Sequence, residues 1–494
     1  MKKIAALILA TALMLSFVGC SNTNTADENN SSDPEQGVTI ENDEQLTDTQ
    51  ISDETLPTKV DAENDLSACE FLAVSSAVYP EMAPDPYGPL YVEDTEDDDA
   101  IYDAYDAWRS DLSARYQFFQ DYSGELDSFF TDSMRQFLTD SQGQNKVYSP
   151  INVYMALGML AEVTDGESRN QILDLLGADS VEDLRAQANA IWNANYRNDG
   201  ATTSIFASSL WLNEDVNFVQ STMDSLAQNY YASSYQGIMG SEELNSALQN
   251  WLNEQTGGLL EDKTSGIGLN EDTIMALAAT VNFHARWRDE FYEGATYTGT
   301  FHGVKGDLEC DFMRQNKMCD YYWGENFSAV NQRLANVGTM WLILPDESVS
   351  VDELIEDDQA MEFIMAREWE DQKSLMVHMT VPKFDVSSDM DLTSGLKALG
   401  VTDVFDPAIS DFTPMTTDMD EEIYLSQAQH AARVQIDEEG CTAVAYTVFA
   451  VDTTSAEPEE LEEIDFVLDR PFLFVITGVE GLPLFAGVVN QPVE

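Results

Sequence analysis

Positive charge is what this 494-residue chain has least of: 23 lysines and arginines stand against 90 aspartates and glutamates, a formal net charge of −67. That balance excludes nucleic acid and anionic lipid as partners, because each needs a broad basic face. Histidine is scarce as well, with only His284, His302, His378 and His430. None of them sits in a His-Glu-x-x-His pattern, and neither a Gly-x-Ser-x-Gly elbow nor a phosphate-cradling glycine loop occurs anywhere. The expectation is therefore a protein that is not an enzyme and needs no cofactor or metal. The acidic run "EDTEDDDA" reads as solvated like charge rather than a calcium loop. Cys20, Cys69, Cys310, Cys319 and Cys441 are too few and too scattered for a disulfide framework.

Long apolar runs are missing too, with one exception at the start. "MKKIAALILATALMLSFVGC" places Lys2 and Lys3 before an apolar stretch from Ile4 to Val18 that is short for a membrane span. It reads as an export leader, and its end at Gly19-Cys20 resembles a bacterial lipoprotein signal with Cys20 as the lipid acceptor. Residues 1–20 are thus expected to be a signal. Residues 21–65 carry thirteen acids against Lys59 alone and read as a disordered tether. Residues 66–117 form a mixed N-terminal extension, ordered in part around "FLAVSSAVYP", and residues 118–494 remain for the folded domain.

That remainder has a core. Leu126, Phe129, Phe130, Met134, Phe137 and Leu138 recur at three- and four-residue spacing, an amphipathic helix. Ser149-Pro150 stands in cap-then-proline order before "INVYMALGMLAEV", which is apolar nearly all round and so reads as a buried helix. "SLMVHMTVPKFDV" alternates Leu375, Val377, Met379 and Val381 on one face, and "TMWLILP" is a short continuous strand. "RPFLFVITGVEGLPLFAGVV" reads as two apolar strands about a turn at Glu480-Gly481. Helices crowd the first half and strands the second, without repeats, which implies one large α+β domain.

"EEGCTAVAYTVFAVDTTSAEPEELEE", residues 438–463, is the least ordinary segment. From Gly440 to Val451 it carries no charge and can be covered on both faces, as in a central strand of roughly 40 Å at ~3.3 Å per residue. It then runs into a proline-containing acidic stretch that reads as exposed. Six segments explain the conflict, because together and in order they resemble the serpin superfamily. They are "NKVYSPINVYMALGMLAEVTDGESRNQILDLLG", "WLNEQTGGLLEDK", "FHARWRDEF", "VPKFDV", "SQAQHAARVQIDEEG" and "DRPFLFVI" with "LFAGVV".

The resemblance implies a single serpin domain, with helices packed on a large central sheet, further β-sheets and an exposed reactive-centre loop at about 440–464. It implies a suicide inhibitor of serine proteases: the loop is cut, and its first part inserts as a new central strand. By the same resemblance Glu438, Glu439, Gly440, Cys441, Thr442, Ala443, Ala445 and Thr447 form the hinge. Ser149, Pro150, Asn152 and His430 form the polar "shutter" beneath the sheet, and Trp287 marks the "breach" where insertion begins. Asn152 replaces a common serine of the family, and Ala279 stands where an asparagine is usual. Counting the family's usual seventeen residues from Glu438 puts the reactive bond between Thr454 and Ser455. No lysine or arginine lies between Arg433 and Arg470, which points to elastase-like or subtilisin-like proteases as partners. The protein is expected to act as a monomer, with loop-sheet polymerisation open to it. It is expected to be exported and lipid-anchored at a bacterial cell surface or extracellular, touching membrane only through the anchor. The other reading the resemblance leaves open is a non-inhibitory serpin acting as a binding or carrier module.

Overall fold

The structure is a computed structural model describing residues 6–9, 72–86, 98–120, 126–256, 267–366, 369–417, 423–441, 462–478 and 481–493. Ten described helices surround two large mixed sheets, the α+β arrangement expected.

The helical half begins outside the predicted domain. Helix α1 (Asp98–Gln120) packs on α5 (Val181–Asn195) and buries Trp108 and Leu112. The acidic composition around residue 97 had hidden this helix. Helix α2 (Leu126–Leu138) buries all six of the apolar residues whose spacing marked it. Helix α3 (Pro150–Val163) is buried along its whole length, beneath strands of both sheets. Its one acid, Glu162, is held by the Arg185 guanidinium through bonds of 2.6 and 2.8 Å. Two bonds in one plane are the arrangement that lets a carboxylate be buried. Ser149 precedes α3 as expected but does not cap it with its side chain. Its hydroxyl donates instead to the Leu484 carbonyl at 2.7 Å, spending on tertiary structure the bond that the sequence order assigned to the helix.

The first sheet runs β1 (Ala6–Leu9), β14 (Leu425–Ile436), β15 (Gly440–Cys441), β7 (Met275–Arg286), β5 (Thr203–Asn213), β6 (Ala232–Gly237) and β2 (Ala73–Ser75). Strand β13 (Phe384–Asp391) lies on the outer side of β14. Strand β2 comes from the N-terminal extension and covers the edge of β6. The extension is fastened further along its course: Tyr79 packs among Trp192, Tyr196 and Tyr231. Asp85 bonds the Asp199 carbonyl through its N–H, and its carboxylate accepts from Asn336 at 3.0 Å.

The second sheet runs β16 (Glu463–Val467), β12 (Gln372–Pro382), β9 (Gly306–Trp323), β10 (Phe327–Leu334), β11 (Gly338–Pro345), β17 (Phe472–Thr477), β18 (Pro483–Val489) and β3 (Lys146–Tyr148). Every residue of β17 and β18 is buried, which accounts for their unbroken apolar runs. The turn between them contains Gly481 at φ +80°, left-handed backbone that glycine adopts freely. Glu480, its expected neighbour in the turn, lies outside the described residues.

Candidate functional site

The site is the junction of β7 and β14 at the centre of the first sheet. Strand β14 ends at Ile436, and Asp437 turns the chain: its carboxylate accepts the N–H groups of Glu439 (3.0 Å) and Gly440 (3.1 Å). This side-chain-to-backbone turn is what aspartate does well. The chain then re-enters the sheet as β15, with Cys441 opposite Ile436 on one side and Gly440 and Cys441 opposite Arg286 and Ala285 on the other. A side-chain carbon at Gly440 would lie 2.4 Å from the Ala285 carbonyl oxygen, so only hydrogen fits.

The turn is pinned from three directions. Glu438 is ion-paired with Lys383 at 2.6 Å and accepts from the Thr296 hydroxyl at 2.6 Å. Burial alone would raise its pKa, yet the bonds from Lys383 and Thr296 leave it below the usual glutamate range. Trp287 bonds the Glu439 carbonyl through its backbone N–H and the Asp437 carbonyl through its indole N–H, at 2.9 and 2.8 Å. Phe291 bonds the Glu438 carbonyl at 3.0 Å and meets Trp287 edge-on.

Beneath β15 the described sheet opens between β7 and β14. Among the described residues β7 and β14 share no ladder of their own; each pairs with β15 instead. Lower down, Ala6–Leu9 lies parallel to β14 opposite Leu425, Ala428 and Gln429. These four residues belong to the stretch that reads as a leader. Beside Cys441 a cavity of about 40 Å³ is lined by Val281, Phe283, Val434, Ile476 and Phe485 among others. Cys441 is buried, and burial, helped by Asp437, pushes its thiol up to about 12. The first residue after the hinge glycine thus already faces the core.

The floor of the gap is polar and neutral. His430, fully buried on β14, accepts the Ser149 N–H through Nε2 at 3.0 Å and meets the Tyr148 ring edge-on. Burial lowers its pKa to about 3, so it stays uncharged. Asn152 donates to the Ala279 carbonyl of β7 at 3.4 Å. The amide missing from position 279 is thus supplied by the helix below, and α3 with the residue before it reaches both strands that border the gap.

The structure brings Ser149, Asn152 and His430 together, with Pro150 buried at the start of α3, and Trp287 with Glu438, Glu439 and Gly440. It corrects the loop's limits. Gly440 and Cys441 are paired and buried, not exposed, because the slot takes them in; Glu463 and Ile464 already belong to β16. Thr442, Ala443, Ala445, Thr447, Thr454, Ser455 and Cys20 lie outside the described residues. Sequence reasoning missed Asp437, Thr296 and Lys383. Lys383 sat unremarked within "VPKFDV", and only tertiary contact shows that it pairs with the hinge.

A two-sheet domain whose first sheet, among the described residues, joins β7 to β14 through the two-residue β15 and lets the chain leave β14 at a pinned glycine turn points to one class of fold. The family described as Serpin (serine protease inhibitor) matches residues 125–492, and the chain belongs to it. Serpin-ZX of Arabidopsis thaliana is 25% identical over 371 residues, covering 72% of this chain and 94% of that protein. Plasminogen activator inhibitor 1 of Mus musculus is 25% identical over 380 residues, 72% of this chain and 89% of the other. Among solved structures, the thermophilic serpin tengpin in its native state superposes with a TM-score of 0.65 at 26% identity, covering 74% of this chain and 93% of tengpin.

Proposed function

We propose that this serpin inhibits elastase-like or subtilisin-like serine proteases by presenting Thr454–Ser455 for cleavage and then inserting the freed loop between β7 and β14. The observation that carries the reading is β15: two residues of the loop already pair with both strands, above a stretch where those strands share no ladder. Extending β15 downward adds roughly a dozen backbone hydrogen bonds at about 1 kcal/mol each, together with apolar burial. The gain favours the cleaved form. Strand completion of this kind is a recurring mode of recognition, with the main chain supplying affinity. The absence of lysine and arginine from Val434 to Asp469 supports a target with a shallow, uncharged primary pocket.

Incubation with pancreatic elastase and with subtilisin tests this. The expected result is a detergent-stable complex, a released peptide beginning at Ser455, and a cleaved form melting well above the intact one. Simple cleavage with no rise in melting temperature would favour the carrier reading. We further propose that Cys20 is the lipidated mature N-terminus, in keeping with the leader that ends there. Cys20→Ala should move the protein from membrane to soluble fractions without altering its fold; equal solubility of the unsubstituted protein would refute the anchor.

A further inference from the structure

Cations are rare here, and several of those described find carboxylates: Arg185 meets Glu162, Arg433 meets Asp385, Lys383 meets Glu438. One place departs from that pattern. Just beyond β7, Trp287 pairs with Leu334 across an antiparallel bridge. The Arg288 N–H bonds the Arg333 carbonyl at 2.8 Å, and the Ala335 N–H bonds the Arg286 carbonyl at 2.8 Å. Trp287 and Leu334 are buried, so the alternate residues turn outward. Arg288 and Arg333 stand directly opposite each other, both exposed, and Arg286 follows on the same face.

None of these three guanidiniums has a carboxylate within 4 Å or a hydrogen-bond partner among the described residues. Like charges placed opposite one another on a sheet are destabilising. Asp289, Glu290 and Glu439 are exposed and border the patch without a direct ion pair to it; burial raises the Glu290 pKa, and the Arg286 charge acts against that rise. Lys317 lies on the buried side of the strand that carries Arg333, bonded to the Gln332 side chain, and burial, helped by the Arg333 charge, lowers its pKa.

We propose that Arg286, Arg288 and Arg333 form a binding site for a compact phosphate-bearing anion, of the size of pyrophosphate or a small phosphate ester. Planar guanidinium forks carried on one face of two neighbouring strands suit a tetrahedral oxyanion, each able to offer two parallel donors. Size follows from charge. The patch is the width of two strand ends, and the screening length is about 8 Å at physiological ionic strength. A compact anion therefore senses mainly the arginines. A long polyanion would overhang onto a protein of net charge −67 and be repelled. The site lies where the loop enters, since Gly440 pairs with Arg286 itself. An occupant would hold the strand end on which the loop's first residue is laid. The inference does not depend on which protease, if any, the protein inhibits.

Calorimetric titration of the intact protein with pyrophosphate, in sodium chloride of matched ionic strength, tests it. Saturable one-site binding is expected, weakening as salt rises, with a higher melting temperature in pyrophosphate. Arg288→Ser with Arg333→Ser should weaken binding at least tenfold. Arg314→Ser, which removes an exposed arginine stacked on Tyr297 instead, should leave it unchanged. Arg288→Lys with Arg333→Lys keeps the charge and the fold while losing the forks, and should fall between. Absence of binding, equal binding by the serine variant, or tighter binding per phosphate group by long-chain polyphosphate would each overturn the proposal.

Discussion

The two sheets are made of similar residues and differ most at their centres. In the second sheet β11, β17 and β18 pair residue by residue, from Thr339↔Thr477 to Ile343↔Leu473 and on to Phe472↔Val489. Phe474 stacks on Phe384 within that core. In the first sheet the middle strands stand apart. They are joined at the top by the two residues of β15 and the hydrogen bonds of Trp287, and at the foot by uncharged hydrogen bonds from α3 and the residue before it. A sheet meant to stay shut can be sealed by unbroken apolar burial. If the first sheet takes in a strand, as proposed above, it needs local contacts that hold one geometry and are readily exchanged.

The most severe way to break this contrast is to spoil the incoming strand. Thr447→Arg should leave the intact protein folded but put an unpaired cation on the inward face of the inserted strand, where burial costs several kcal/mol. Stable complex on denaturing gels should vanish, leaving only cleaved product; a complex that persists would mean the strand does not insert that far. Next in size, Phe474→Ala should cost about 3–5 kcal/mol. The loss should appear in denaturant unfolding of both intact and cleaved protein, since the insertion proposed above adds its strand to the first sheet alone. A loss confined to the intact form would erase the distinction between the sheets.

Glu438→Ala should cost about 1–3 kcal/mol, because Lys383 and the Thr296 hydroxyl lose their shared acceptor. In the unsubstituted protein the carboxyl sits below its ordinary range. Its contribution is therefore fully present above the ordinary glutamate pKa and fades as pH falls through the lower folded value. Acid melts of the variant should lack that fading. Smallest is the effect of His430. With a folded pKa of about 3 against about 6.5 unfolded, the unfolded chain binds the extra proton below pH 6.5, so stability falls as pH falls. The loss between pH 7 and 5.5 is about 1 kcal/mol. His430→Gln should flatten that slope, and an unchanged slope would assign it to other groups.

Much of this was legible in the sequence for a physical reason: periodicity reports burial. The stripe from Leu126 to Leu138, the all-round apolar run after Pro150 and the closing strands each carry their environment in their spacing. The hinge was legible through residue types that tolerate few substitutes, such as Gly440 against the Ala285 carbonyl. What stayed hidden depends on distant partners. Nothing local says that Ser149 gives its hydroxyl to Leu484, that Asn152 reaches Ala279, or that Lys383 waits for Glu438. That Gly440 and Cys441 pair on both sides was equally invisible, since it depends on the slot between β7 and β14 and not on local propensity. Helix α1 was missed because its acids masked a modest apolar stripe through Tyr105, Trp108 and Leu112.

Strand β2 gives the sheet a border. It is three residues long, it comes from far upstream in the chain, and it closes the outer side of β6. An unpaired edge of that kind is a template on which another molecule's strand can grow. By ending the sheet in so short a strand the protein limits stacking with its neighbours, which matters most where many copies are crowded together. Any shortened version for laboratory use should therefore begin before residue 72, or it will trade a finished edge for a sticky one.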